Sequence, residues 1–436
     1  MEASITQLGL NNYLINKKEK AISFFKHNYN NYTNFVKDTR RLNFKNNVNF
    51  GGKAVFRLDE DANYGDLITN IVLEVDLPDI TNLKSKTSNE SMSYCNGIGN
   101  ALLKNVSLKI GGNLIDEHDS IWMDIWSQLS IPRGKQDNYQ NIIKKSKNFD
   151  TAVPFYQGGK IYIPLLFWFC QNTNYNNNPL ALPIVSLRNN VMELILEFNE
   201  FNELLTCPSF EEPSSELKLE NVQLLIDFVI LEEKERVNYL ENPRQMHLIS
   251  QVQNQIYDIQ ATTQNINISL KSFKYPIIEL FFVFRRNDAV STNKEFFNYS
   301  NVLNQETSTS PIKKVKLSFD GRDRLPELDS TYFTQVEPSK VHDNIPVNTH
   351  IHCYSFALQP ENMAQPTGSC NFSEIHEPIL HLEFIDGLGA GILHVYALNY
   401  NVLQIDNSGN AWLLHNLSKS APIKLPDKNS KLPGDC

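Results

Sequence analysis

The chain has 436 residues, more than one hydrophobic core usually supports, so two domains of roughly 200 residues each are the starting expectation. Hydrophobic residues make up 41% of it and charged residues 20%, which excludes a disordered chain and leaves ample apolar surface to bury. The formal net charge of -9 argues against wholesale wrapping of nucleic acid, which needs clustered cations to displace counterions.

The acidic balance is uneven from the start. Between residues 17 and 45 the cations Lys17, Lys18, Lys20, Lys26, Lys37, Arg40, Arg41 and Lys45 face only Glu19 and Asp38. A solvated basic face is the simplest reading, and contact with an inner membrane surface or an acidic partner is the sharper one. Residues 21–35 begin as a short helix and loosen into Asn-rich extended chain.

Residues 67–77 form the cleanest strand, with Leu67, Thr69, Ile71, Leu73, Val75 and Leu77 on one face against Asn70, Glu74 and Asp76. Val106, Leu108 and Ile110 alternate with polar residues up to Gly111 and Gly112, which supply the positive φ of a tight hairpin before Leu114 and Ile115. Asp119 then caps a helix whose Trp122, Ile125, Trp126 and Leu129 recur at helical spacing until Pro132. That stripe suits a core-facing helix covering the end of a barrel better than a ligand platform.

Residues 161–170 are apolar on both faces with a break at Pro164, and Met192, Leu194, Leu196 and Phe198 alternate with glutamates. At 206–216 the composition turns to Pro, Ser and Glu without periodicity, which places a domain boundary there. A second β pattern opens with Val222, Leu224, Ile226, Phe228 and Ile230, and continues through 266–270, 277–284 and 315–319 to the turn pair Asp320 and Gly321. Residues 350–358 alternate as a strand packed on both sides. Pro360, Asn362, Pro366 and Gly368 then force the chain to leave the sheet and return. Strands at 380–385 and 391–405 complete the set, and prolines among lysines beyond Ser418 indicate a loose tail.

Each half thus offers about eight short strands. The expected fold is all-β: two consecutive eight-stranded antiparallel jelly rolls with a few short helices in loops. The expected boundaries are an N-terminal segment 1–22, a first roll 23–210, a second roll 216–418 and a flexible tail 419–436.

Chemistry-bearing constellations are thin, and no catalytic, cofactor or metal residue is assigned. His350 and His352 share a strand face near Cys353, Cys370, His376 and His381, but Cys353 falls on the opposite face and a closed metal site needs about four convergent ligands. The carboxylate pairs Glu211 with Glu212 and Glu232 with Glu233 are neighbours in sequence and read as solvated. Gly387, Gly389 and Gly391 lead into a strand pattern rather than a helix, so they read as a turn and not a phosphate loop. Six dispersed cysteines without a CxxC pair, and no N-terminal apolar signal, imply free thiols in a reducing compartment. The longest apolar run, 277–284, is interrupted by Glu279 and is too short to span a bilayer.

Three ordered blocks carry a resemblance: DGRDRLPELDSTYF at 320–333, YSFALQPENMAQPTGSCNFSEI at 354–375 and VYALNYNVLQI at 395–405. They resemble the C-terminal half of the major capsid proteins of nucleocytoplasmic large DNA viruses, the iridovirus and mimivirus-like members most of all. The FFK run from Phe24, the GDLI run from Gly65 and the PLLFWFC run from Pro164 resemble the N-terminal half. The resemblance implies a structural, non-enzymatic protein of the virion shell, assembled in the host cytoplasm. Its partners would be two further copies in a homotrimer, neighbouring capsomers, minor capsid proteins and an internal membrane layer that residues 1–22 would face, with no direct nucleic-acid binding. Glu374 stands where the family often has Arg after NFS, and Asn30 and Asn31 stand where basic residues are common. These departures keep a divergent minor capsid or scaffold paralogue open. A carbohydrate-binding or glycan-cleaving β-sandwich is the reading outside the structural class.

Overall fold

The computed structural model describes residues 33–414 except 59–63, 87–91, 147–156, 172–179, 207–216, 289–295, 303–308, 347–348 and 364. The expected inward segment 1–22, the tail 419–436 and most of the expected boundary at 206–216 therefore lie outside the described residues. The chain forms two compact units, 1–35 and 36–436, and all but the first residue of the elements below belong to the second.

Among the described residues the N-terminal half supplies eight strands: β1 (Phe35–Asn43), β2 (Lys53–Arg57), β3 (Leu67–Leu77), β4 (Leu103–Ile110), β5 (Asn113–Asp119), β6 (Gly159–Pro164), β7 (Met192–Phe198) and β8 (Glu220–Leu231). They form two four-stranded sheets, ordered β1-β8-β3-β6 and β2-β7-β4-β5. Between them run the helices α1 (Ile98–Leu102), α2 (Ser120–Ser130) and α3 (Arg133–Ile142). Gly111 and Gly112, at φ 57° and 80°, make the predicted two-residue hairpin between β4 and β5. The left-handed pair matches the right-handed twist of the strands.

β3 has the predicted ends, but a register shift between Ile68 and Asn70 resets its parity. Ile68 is buried there in place of Leu67 and Thr69, and the expected face resumes at Ile71, Leu73, Val75 and Leu77.

The assignment of residues 222–230 to the second module needs correction. β8 pairs antiparallel with β3, Leu73 opposite Leu224 and Ile71 opposite Ile226, and so completes a sheet of the first half. Alternation identifies a strand and its buried face, but the partner is fixed by residues more than a hundred positions away.

After α4 (Glu233–Glu241), ten strands follow among the described residues: β9 (Arg244–Ile259), β10 (Asn265–Ser269), β11 (Pro276–Arg286), β12 (Ile312–Phe319), β13 (Arg322–Asp329), β14 (His352–Ser355), β15 (Cys370–Asn371), β16 (Pro378–Phe384), β17 (Gly391–Asp406) and β18 (Ala411–Leu413), with the short helix α5 (Pro338–Val341) between β13 and β14. β10-β16-β12-β13 form an outer sheet. β14-β11-β17-β18, extended by β9 beside β17 and β15 beside β11, form a six-stranded central sheet. β14 is shorter than the predicted strand, because His350 adopts φ 54° and Leu358 lies exposed beyond it. The chain does leave the sheet after β14 and return at β15, both strands pairing with β11.

The central sheet is covered on both faces. Leu280, Phe282, Phe284, Leu393, Val395 and Ala397 pack toward the outer sheet with Val315, Leu317, Leu380 and Leu382. Ile278, Phe281, Val283, Tyr396 and Leu398 belong instead to the large core shared with the N-terminal half. This is why 277–284 reads as an unbroken apolar run: both of its faces are dry.

Candidate functional site

A concentration of buried polar and aromatic groups lies where the N-terminal half meets the central sheet. Asp119, at the end of β5, accepts a hydrogen bond from the Trp122 backbone N–H at 2.7 Å and so caps α2 as its position predicts. The same carboxylate accepts from the Tyr396 hydroxyl on β17 at 2.8 Å and from Asn254 on β9 at 3.1 Å. Burial pushes the Asp119 carboxyl above its ordinary range, against the pull of these donors.

From this cap α2 runs with all but its last residue buried. Trp122 and Trp126 stack at 5.4 Å, and both meet Phe281 of β11 edge-on at 5.3 and 6.1 Å. The tryptophan stripe is therefore a packing surface, as expected of a core-facing helix. Asp124, on the same helix, accepts from Gln128 at 2.7 Å and from Tyr299 at 3.0 Å, and it pairs with Lys145. Burial and the Asp124 charge raise the Tyr299 hydroxyl well above its usual range, so it stays a donor.

Around this centre polar side chains of one half hold the backbone of the other. Asp116 accepts from the Val252 N–H at 3.0 Å, and Gln251 donates to the Ile115 carbonyl. These contacts satisfy groups on β5 and β9 without a ladder between them. Further along, Asn190 donates to the Gly409 carbonyl at 2.9 Å, and Ser186 to Gln245 at 3.0 Å.

The histidines and cysteines singled out from the sequence do not converge. His352 is buried, stacks on Phe282 at 5.0 Å and pairs through Nε2 with Ser330 at 2.8 Å and Ser310 at 3.1 Å. Burial, with a smaller push from His350, takes its imidazole down to about 3. His381 lies on the outer sheet between Ser318 and Asn267, and His376 is exposed. Cys95, Cys170, Cys353 and Cys370 are free thiols. Gly387, Gly389 and Gly391 form the expected turn into β17. Among the described residues no helix is long and apolar enough to cross a membrane. Glu211 and Glu212 lie outside the described residues.

Sequence reasoning missed a second constellation altogether. His342, just after α5, bonds Glu279 of β11 through Nε2 at 2.9 Å and Glu361 through Nδ1 at 2.7 Å, with Cys353 alongside. Burial alone would depress this imidazole, but the Glu279 charge and the hydrogen bonds around it hold it well above its usual value. Glu279 was visible as the one charge in the apolar run, but its partner is 63 residues away with no spacing motif to announce it.

On the outer sheet, a cleft lined by Asn265, Asn267, Lys314, Lys316, Glu327, His381 and Glu383 presents no aromatic ring of the kind a glycan platform needs. What the molecule builds is a buried joint between two sandwiches.

Comparison with known proteins agrees with that architecture. Residues 23–232 match the family model described as the N-terminus of the major capsid protein, and residues 235–410 match that of the large eukaryotic DNA virus major capsid protein. The major capsid protein of Pyramimonas orientalis virus is 27% identical over 409 residues, covering 88% of this chain and 91% of the relative. The quasi-atomic structure of the PBCV-1 virus capsid superposes with a TM-score of 0.71 at 25% identity, covering 90% of this chain and 100% of that one. The Faustovirus major capsid protein shares the fold, with a TM-score of 0.70 at 12% identity over 89% of this chain and 93% of its own. The two consecutive sandwiches are thus a double jelly roll, and the chain belongs to the major capsid protein family of large eukaryotic DNA viruses.

Proposed function

We propose that this chain is the repeating tile of an icosahedral virion shell. Three copies associate into a pseudo-hexagonal capsomer, capsomers tile the shell of a large double-stranded DNA virus, and assembly takes place in the host cytoplasm. Minor capsid proteins and an internal membrane layer lie beneath. The chain acts by forming interfaces, with no catalytic step and no direct contact to nucleic acid.

The observation that carries this reading is the central sheet buried on both faces, which joins the two sandwiches through a shared core. A tile must transmit lateral load without hinging, and interdomain motion is the default where such an interface is small and polar. Here the joint is aromatic at its centre, around Trp122, Trp126 and Phe281. We place the end of the first roll after β8, since that strand completes a first-half sheet, and the second roll from α4 onward. Loops at the ends of the rolls then make the contacts between copies.

Light scattering on the purified full-length chain tests the proposal. The expected mass is about 150 kDa, three times 50.0 kDa, with hexagonal outlines in electron micrographs. A monomer that persists at high concentration would sink the capsomer reading.

A further inference from the structure

The Glu279, His342, Cys353 and Glu361 cluster goes beyond what a rigid joint requires. Glu279 and Cys353 share a face of the central sheet, because Cys353 stands directly opposite Phe281, two residues along from Glu279. His342 reaches the same point from the segment after α5. The ligand atoms of Glu279, His342 and Cys353 all lie within 4.8 Å of one another, and all three residues are buried. The pocket is walled by Trp126 and Phe281, each ring 6.4 Å from the imidazole.

Two features separate this cluster from an ordinary buried ion pair. Glu279 Oε2 is buried with no hydrogen-bond partner, a costly position for a carboxylate oxygen unless a cation meets it. Glu361 holds Nδ1 of His342 and leaves Nε2 directed at Glu279, which is the carboxylate-to-imidazole support that metal-binding histidines commonly have.

We propose that Glu279, His342 and Cys353 hold a structural zinc ion, the unpartnered Oε2 of Glu279 taking the fourth position beside Oε1, with Glu361 as the positioning residue for His342. A thiolate, an imidazole and a carboxylate together suit zinc, whereas magnesium and calcium take oxygen ligands. Zinc takes Cys353 as a thiolate and His342 through a neutral Nε2, so any proton these two ligand atoms carry leaves as the metal enters. The metal would pin β11, β14 and the segments on either side of β14 at one point beneath α2.

Metal analysis of the full-length chain, purified without chelator and again after reloading with Zn²⁺ or Co²⁺, tests the site. The expected results are one zinc per chain and, in the cobalt form, a thiolate-to-metal charge-transfer band. Cys353→Ser should lose both, and Cys370→Ser should keep both. Zinc below about a tenth of an equivalent after reloading, full zinc retained in Cys353→Ser, or loss caused by Cys370→Ser instead would each overturn the proposal. If Cys353→Ser does not fold, Glu361→Gln is read in its place. It leaves all three ligands and should give up zinc to a chelator roughly tenfold more readily. Retention equal to the unmodified chain overturns the proposal.

Discussion

The two sheets of the C-terminal roll differ less in their strands than in what covers them. In the outer sheet, β16 alternates strictly between buried and half-buried residues, and its free face carries the ion pairs Lys313 to Glu383, Lys314 to Glu327 and Lys316 to Asp323. In the central sheet, β11 has nine consecutive buried residues, and β17 is nearly as continuous. Both sheets share the core between them, so the difference is the second layer over β11 and β17, supplied by α2 and the N-terminal half. An antiparallel sheet normally leaves one face to water. Closing that face turns the roll into half of a larger body, with the apolar contact between the halves centred on it.

The sharpest way to break this comparison is to remove the residue at its centre. Phe281 is fully buried edge-on against both tryptophans of α2, so Phe281→Ala deletes a large side chain from a close-packed layer. A loss of about 3–5 kcal/mol in chemical denaturation is expected. A loss below about 1 kcal/mol would mean that the joint is not the stabilising layer.

A smaller effect sharpens the same contrast through pH. His394, on β17, is buried with both ring nitrogens unpartnered, and burial, with the Arg285 charge beside it, pushes its imidazole down to about 3. The folded state therefore binds fewer protons than the unfolded chain below the ordinary histidine value of about 6.5. The stability this group contributes is present above that value and is lost as pH falls from about 6.5 toward 3. His394→Leu should make the acid limb of the stability curve shallower by about 1–3 kcal/mol, since each unit of lowering corresponds to about 1.4 kcal/mol. An unchanged acid limb would show that His394 is hydrated in solution.

How much of this was legible in the sequence follows from the range of each signal. β3, the Gly111 and Gly112 hairpin, and α2 with its Asp119 cap are local patterns, and each appears where periodicity and capping chemistry place it. The partner of β8 was not legible, because alternation carries no address. β13 carries no alternating pattern to announce it, since RDRLPELD is charged and holds Pro326. It is tolerated because β13 is an edge with most of its residues exposed. The Glu279, His342 and Cys353 cluster was invisible for the same reason as the β8 pairing: only the fold brings its members together. The lone glutamate in an apolar run was the available hint, and a buried charge generally announces a partner somewhere.

The least effect is expected on the face that stays wet. Lys314 bonds Glu327 at 2.6 Å and lies 3.6 Å from Glu383, which holds its ammonium above the ordinary lysine value. Both partners keep access to water, however, and an exposed pair gives back most of its attraction in side-chain entropy and screening. Lys314→Ala should therefore move the thermal midpoint by about 1 °C or less. Any shift seen at low ionic strength should fade near 1 M salt, where charges are screened beyond roughly 3 Å. The loss in Phe281→Ala should persist at that salt, because it comes from packing. If Lys314→Ala cost as much as Phe281→Ala, the ion pairs of the outer face and not the covered central sheet would be holding the roll, and the contrast between the two sheets would fail.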